Sequence, residues 1–108
     1  MRKSILILAT AISFSATSGC LDGHKLMDLL EEQEVSPTGY SSGYFDGYVS
    51  GIAEISVFTF WCPPDNVNLG QTARITANYL RAHPEYLHKD AYSLVVDALR
   101  APFPCKNN

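Results

Sequence analysis

The sequence predicts an all-α fold, a small single domain in which about four helices pack as a bundle. Three observations predict this class. Apolar residues recur at intervals of three and four in four segments, no segment alternates apolar and polar residues over the length of a strand, and Pro or Gly clusters separate the segments. Each helix is therefore expected to bury one face against the others.

The first predicted helix covers about residues 22–34. Leu26, Leu29 and Leu30 share one face, and the acidic residues around them point outward. The segment 36–39, which contains one Pro and one Gly, ends the helix because both residues disfavour its continuation.

The second predicted helix covers about residues 40–58 and contains two rows of residues at intervals of four. The rows are Gly43, Gly47 and Gly51, and beside them Tyr44 and Tyr48. Each interior Gly costs up to ~1 kcal/mol of helix stability relative to Ala. A second helix that approaches closely along this helix-packing groove would offset the cost. We expect that helix to belong to the same chain; the alternative is a homodimer or another protein partner.

The third predicted helix begins after Asn68, because Asn68 and Gln71 have the spacing of a capping box. Its apolar face consists of Leu69, Ala73, Thr76, Tyr79 and Leu80.

The fourth predicted helix has Pro84 at its first position, which Pro favours, and Pro102 stops it. Its apolar stripe is the most regular in the chain and consists of Leu87, Ala91, Leu94, Val95 and Ala98, widened by Val96 and Leu99.

The first 20 residues have the pattern of a secretory signal peptide. Arg2 and Lys3 precede an apolar run at 5–12, and small residues follow it. We therefore expect export to the periplasm, a single mature domain at residues 21–108, and no transmembrane segment in the mature chain. Lipidation at Cys20 is the less favoured alternative, because Thr17 stands where a lipobox usually has Leu.

The mature chain is acidic. Loss of Arg2 and Lys3 changes the formal net charge from −3 to −5, and no Lys or Arg lies between Lys25 and Arg74. Such a surface argues against nucleic acid as a ligand and would attract a basic protein partner. The alternative is an acidic face that serves only solubility.

No catalytic or metal-binding pattern emerges, so we expect no enzymatic activity, no cofactor and no metal. Glu85 and His88 have the spacing of half a di-iron motif, but the second half is missing. Cys62 or Cys105 beside a histidine would be a nucleophile and base. In an exported protein, however, such cysteines more often form a disulfide.

If Cys62 and Cys105 pair, one disulfide staples the C-terminal helical hairpin and contributes roughly 4 kcal/mol by closing a loop of about 44 residues. The loop after Cys62 is polar at its tip and held by two prolines, which suits insertion into a cleft at low entropic cost. The candidate partner-binding residues are Pro63, Pro64, Asp65, Asn66, Val67 and Asn68. The alternative is a plain helix connection.

An ordered set of motifs resembles one family over essentially the whole mature chain. The motifs are Gly43-Tyr44-Phe45-Asp46-Gly47-Tyr48-Val49-Ser50-Gly51, Phe60-Trp61-Cys62-Pro63, Gln71, Tyr79-Leu80-Arg81-Ala82-His83-Pro84-Glu85, Ala98-Leu99 and Phe103-Pro104-Cys105. In this order and spacing they resemble the Rap/Tai family of type VI secretion immunity proteins. The His-Pro-Glu junction and the Phe-Pro-Cys ending are the most specific parts.

The resemblance implies a small all-helical periplasmic protein, often a homodimer, that binds and inhibits a secreted cell-wall amidase effector and protects the producing cell. It implies the Cys62 to Cys105 bridge and assigns no effector-contacting residue. Many members have a further cysteine pair in the first half, where this chain has only Cys20. Two other functions stay open: an exported helical stress chaperone, and a small lipoprotein of structural role.

Overall fold

The computed structural model describes residue 4 and residues 20–106, and within them the chain forms four α-helices and one short 3-10 helix. The elements are α1 (Gly23–Val35), α2 (Tyr40–Ser56), α3 (Leu69–Ala82), the 3-10 helix Pro84–Tyr86, and α4 (Ala91–Arg100). The predicted small all-α fold with one disulfide is confirmed. Most of the predicted signal peptide, at residues 1–20, lies outside the described residues.

The core lies around α2, which packs against each of the other three α-helices. Its inner face presents Phe45, Val49 and Ala53, all fully buried. The predicted inward faces of the first and fourth helices are confirmed, since their members are buried: Leu26, Leu29, Leu30, Ala91, Leu94, Val95, Ala98 and Leu99. Helical periodicity was therefore sufficient to find most of the core.

The predicted capping box at the start of α3 is confirmed. The Asn68 side chain accepts a hydrogen bond from the Gln71 backbone N–H at 2.9 Å, and the Gln71 side chain accepts one from the Asn68 N–H at 2.9 Å. One predicted core position is wrong. Leu69, the first residue of the helix, is exposed, and Thr72 one turn later is buried instead. The Thr72 hydroxyl donates to the Leu69 carbonyl at 2.7 Å, which satisfies its polar group inside the core.

The prediction of one continuous helix from Pro84 onward is wrong. A 3-10 turn at Pro84–Tyr86 is followed by a non-helical segment, and α4 begins only at Ala91. Leu87, which was placed in the helical stripe, is half-buried outside the helix. The physical reason is that backbone groups of residues 87–91 form hydrogen bonds with residues 21–24.

This contact, called here the N-terminal seam, joins residues 21–24 to residues 87–91. The N–H groups of Gly23 and His24 donate to the carbonyls of Lys89 and Leu87 at 2.9 and 3.0 Å. The Ala91 N–H donates to the Leu21 carbonyl at 2.8 Å. These bonds replace the helical bonds that residues 87–90 would otherwise make.

Gly23 is required by the close approach of the two segments. A Cβ at this position would lie 2.5 Å from Leu94 Cδ1 and 2.7 Å from the Cα and carbonyl oxygen of Leu87. Because two of these three atoms belong to the backbone, a side chain would force the segments apart.

Among the described residues, no helix is both long enough and apolar enough to cross a membrane.

Candidate partner-binding surface

The longest connection between helices joins α2 to α3 and is called here the connector, residues 57–68. Four residues, 36–39, are sufficient to join α1 to α2. Helix connections in bundles usually take about two to eight residues, and longer ones without secondary structure are more often functional. The connector is therefore the first place to look for a binding surface.

The disulfide fastens the middle of the connector to the C-terminal tail. Cys62 and Cys105 are bonded, with their Cα atoms 4.8 Å apart, so the predicted pairing is confirmed. The Cys62 N–H donates to the Phe103 carbonyl at 2.8 Å, and the Trp61 and Phe103 rings lie 6.3 Å apart. We call this contact the disulfide seam.

The candidate binding residues at 63–68 divide into an exposed tip and a structural base. Pro64, Asp65 and Asn66 are exposed. Asn66 has φ 75°, a left-handed conformation that Asn tolerates better than most residues. Val67 packs against the core cluster, Asn68 caps α3, and Pro63 is half-buried. A partner that meets this loop would therefore contact mainly its tip.

A second exposed group, at the end of α2 and the start of the connector, was not predicted. The second helix was expected to continue to about residue 58, but α2 ends at Ser56 and the chain turns sharply at Phe58, which has φ 62°. Phe58 and Phe60, in this turn, are 73% and 53% exposed, and Ile55, in the last turn of α2, is 78% exposed. We call these three residues the aromatic knob.

The knob stands on a closely hydrogen-bonded turn. The Phe58 N–H donates to the Trp61 carbonyl at 2.7 Å, and the N–H groups of Thr59 and Phe60 both donate to the Ser56 carbonyl, at 3.1 and 2.9 Å. Trp61 is buried beneath the turn and its indole N–H donates to the Ala53 carbonyl and the Ser56 hydroxyl, each at 3.1 Å.

Sequence reasoning missed the knob because residues 55–60 contain no Gly or Pro to mark a turn. The available signal was spacing. Phe58 and Phe60 are two residues apart, a spacing that does not place them on one face of a helix.

The expected packing of another helix of this chain along the glycines of α2 is wrong. A Cβ added at Gly43, Gly47 or Gly51 would meet nothing within 4 Å, and all three residues are exposed. The inner face of α2 instead uses Phe45 and Val49, on the opposite side of the helix. We call the three exposed glycines the glycine row.

The tyrosines beside the glycine row belong to the edge of the core. Tyr44 and Tyr48 are half-buried and pack against the core cluster. Burial raises the pKa of the Tyr48 hydroxyl. Tyr40, exposed at the start of α2, meets Tyr44 edge-on with ring centroids 5.9 Å apart. Cys20 is exposed and is a free cysteine.

The junction of α1 and α2 forms an acidic groove of about 610 Å³. Asp28, Glu31 and Glu32 line it together with the exposed side chains of Val35 and Tyr40. Glu32 accepts a hydrogen bond from Ser41, whereas the nearby Glu34 pairs with Arg81 of α3. Three of the acidic residues of this half therefore lie together at the α1–α2 junction.

The His-Pro-Glu junction is a small stacked cluster with no catalytic arrangement. The rings of Tyr79, His83 and Tyr86 form a three-membered cluster, in which the His83 ring centroid lies 4.5 Å from Tyr79 and 5.0 Å from Tyr86. His83 Nδ1 lies 3.0 Å from Glu85 Oε1, and this hydrogen bond lowers the pKa of Glu85. Within the part of the chain that the structure describes, no group of three or more His, Cys, Asp or Glu side chains is placed to hold a metal ion.

Comparison with known proteins agrees with the motifs read from the sequence. The chain matches the family of Rap1a immunity proteins over residues 20–105. A search of curated proteins finds no match. The family match runs from Cys20 to Cys105 and so includes all four α-helices, the connector and both bonded cysteines. Because this match covers most of the chain, the protein belongs to the Rap1a immunity protein family.

Proposed function

We propose that this chain is a periplasmic immunity protein that binds and inhibits a peptidoglycan amidase effector of type VI secretion. It protects the producing cell from its own or a sibling's toxin, and it acts by binding, without catalysis. The family match across residues 20–105 carries the proposal, because a member of this family is an immunity protein against a secreted effector. The disulfide supports export, since such bonds persist in oxidising compartments.

The connector supplies the inhibitory surface in this proposal. Its tip, Asp65 and Asn66, is exposed, carries polar groups and is held by the disulfide on one side and the α3 cap on the other. A segment that is already ordered loses little conformational entropy when it enters a cleft. The acidic groove at the α1–α2 junction favours an effector with a basic surface.

The tip is tested by changing its polar groups without changing its backbone. Asp65→Ala with Asn66→Gly removes both side chains and keeps the left-handed conformation at position 66. We expect affinity for the effector to fall more than about tenfold, roughly 1.4 kcal/mol, with an unchanged melting temperature. Asn78→Ala, which removes an exposed amide from α3, is the matched control and should bind as the wild type does.

The glycine row is the proposed interface of a homodimer. Each interior Gly costs α2 up to ~1 kcal/mol of helix stability, and no other part of the chain that the structure describes packs on the row to offset this cost. A second copy of α2 that crosses at the row would offset it. Gly47→Leu should then yield a folded monomer in analytical ultracentrifugation. A wild-type protein that sediments as a monomer at all concentrations would exclude this interface.

The experiment that tests the function is a pull-down of the tagged mature protein from periplasmic extract at neutral pH, followed by mass spectrometry. One stoichiometric cell-wall amidase is the expected result. Many clients at low stoichiometry would favour the exported stress chaperone and contradict the immunity function.

Cys20 supports one alternative form of the protein. Its thiol is exposed and free at the start of the matched region, which is compatible with a lipid-bearing N-terminus. Intact mass of the protein from membranes distinguishes a lipoprotein, which retains an acylated Cys20, from a chain cleaved near this position.

A further inference from the structure

We propose that the aromatic knob, Ile55, Phe58 and Phe60, is the anchor of the effector interface and enters an apolar recess on the effector. This inference rests on the proposed function and adds two things to it. It locates most of the affinity at the end of α2 and the start of the connector, and it specifies that the effector surface that receives the knob is apolar.

The first observation is a strained aromatic residue held in solvent. Phe58 has φ 62°, a conformation that costs a bulky L-residue energy and that Gly or Asn adopts more readily. Phe58 is 73% exposed, so packing of its side chain in the isolated chain offsets little of this energetic cost. An aromatic side chain at a position that the fold alone would give to Gly or Asn indicates a role outside the fold.

The second observation is the rigidity of the turn that presents the ring. Each backbone N–H from Val57 to Phe60 has an intrachain acceptor at 3.1 Å or less. The buried Trp61 and the Cys62 to Cys105 bond hold the base of the turn. Aromatic side chains on ordered segments are the usual anchors of protein interfaces, because they bury a large area and lose little freedom on binding.

We assign the knob to the effector and not to a second copy of this chain. The groove at the α1–α2 junction is lined by Asp28, Glu31 and Glu32, and their negative charge would repel the acidic residues beside the knob. Self-association through the knob is one of the outcomes of the test below. The knob is convex, so it requires a concave partner of complementary, apolar lining.

Charge argues against a membrane surface as the occupant. Exposed Glu54 lies next to Ile55, exposed Asp65 lies on the same connector, and the chain beyond residue 20 has a net charge of −5. Anionic lipid would repel this surface, because peripheral proteins usually add basic residues to their apolar anchors. The acidic neighbours instead suit an apolar recess with a basic rim on a protein.

The test is Phe58→Asn with Phe60→Ser, compared with Tyr92→Asn in α4. Asn tolerates the left-handed conformation, so the double variant keeps the turn, and we expect it to melt at the same temperature as the wild type or above it. Binding to the amidase that co-purifies with the wild-type protein should weaken about a hundredfold, the scale of losing an aromatic anchor. Tyr92→Asn also removes an exposed aromatic ring and should leave affinity within about twofold, because surface changes outside an interface have small effects.

Each other outcome overturns the proposal in a recognisable way. If the wild type binds the amidase and the double variant binds it with the same affinity, the knob is not part of the interface. The proposed function is then unaffected. Failure of the wild type to bind any amidase removes the proposed function and this inference with it. Loss of self-association, or of binding to phosphatidylglycerol vesicles, without loss of amidase binding would assign the knob to a second copy or to lipid.

Discussion

The bundle is fastened at two places by different means. At the N-terminal seam, backbone hydrogen bonds join residues 21–24 to residues 87–91. Gly23 lies in this contact, and any side chain there would push the two segments apart. At the disulfide seam, a covalent bond and a buried Trp61 join the connector to the C-terminal tail. The first seam supports only the fold. The second also supports the exposed tip and the aromatic knob, so changes there should affect both stability and binding.

The largest expected effect comes from removal of the disulfide. Cys62→Ser with Cys105→Ser should lower the free energy of unfolding by about 4 kcal/mol, because the unfolded chain regains the entropy of a long loop. Chemical denaturation followed by circular dichroism measures this loss. Affinity for the amidase should also fall at temperatures where the variant keeps native helix content, since the base of the connector is loosened.

An unchanged melting temperature after loss of the bond would show that the disulfide does not stabilise the fold. A stability loss with unchanged affinity would show that the connector does not depend on this seam for its binding conformation.

The next largest effect comes from Gly23→Ala. The added Cβ would lie 2.7 Å from backbone atoms of Leu87, and overpacking of this kind usually costs about 1–3 kcal/mol. We expect a lower melting temperature and, for the folded fraction, the same affinity for the amidase. A variant as stable as the wild type would show that the N-terminal seam opens easily.

Gly47→Ala is the matched control, because it makes the same change in a helix where nothing lies within 4 Å. At concentrations where the protein is a monomer, so that the proposed dimer interface does not contribute, the free energy of unfolding should rise by up to ~1 kcal/mol, because Ala favours a helix more than Gly does. If Gly23→Ala lowers the free energy of unfolding and Gly47→Ala raises it, internal packing requires the glycine at position 23 and not the one at position 47.

The smallest effect comes from Trp61→Phe, which keeps an aromatic ring beneath the turn and removes the indole N–H. Loss of its hydrogen bonds to Ala53 and Ser56 should cost about 1 kcal/mol. If the disulfide seam also orients the knob, thermal denaturation and amidase titration will both show a small loss. A change in stability alone would limit Trp61 to the fold.

The two seams also differ in how readily the sequence predicts them. Cysteines mark the disulfide seam directly, and helical periodicity places the core faces of α1 and α4 correctly. The N-terminal seam depends on backbone hydrogen bonds between distant segments, which no side-chain pattern records. For that reason the side-chain pattern predicted a fourth helix that starts at Pro84, whereas α4 begins at Ala91.

The proposed partner surface could be read from the sequence only in part. Prolines and polar residues mark residues 63–68 as a loop, and the end of this loop does cap α3. The aromatic knob consists of residue types that usually lie in cores, and the turn at Phe58 places both phenylalanines in solvent. The glycine row was visible as a pattern, but spacing alone does not indicate whether any helix packs on it.

The most direct test of the central claim is titration of the co-purified amidase with the mature protein while peptidoglycan hydrolysis is followed. We predict that hydrolysis stops near one equivalent of the wild-type protein and that Phe58→Asn with Phe60→Ser requires a large excess. Full hydrolysis in the presence of excess wild-type protein would contradict the assignment of this chain as an immunity protein against that enzyme.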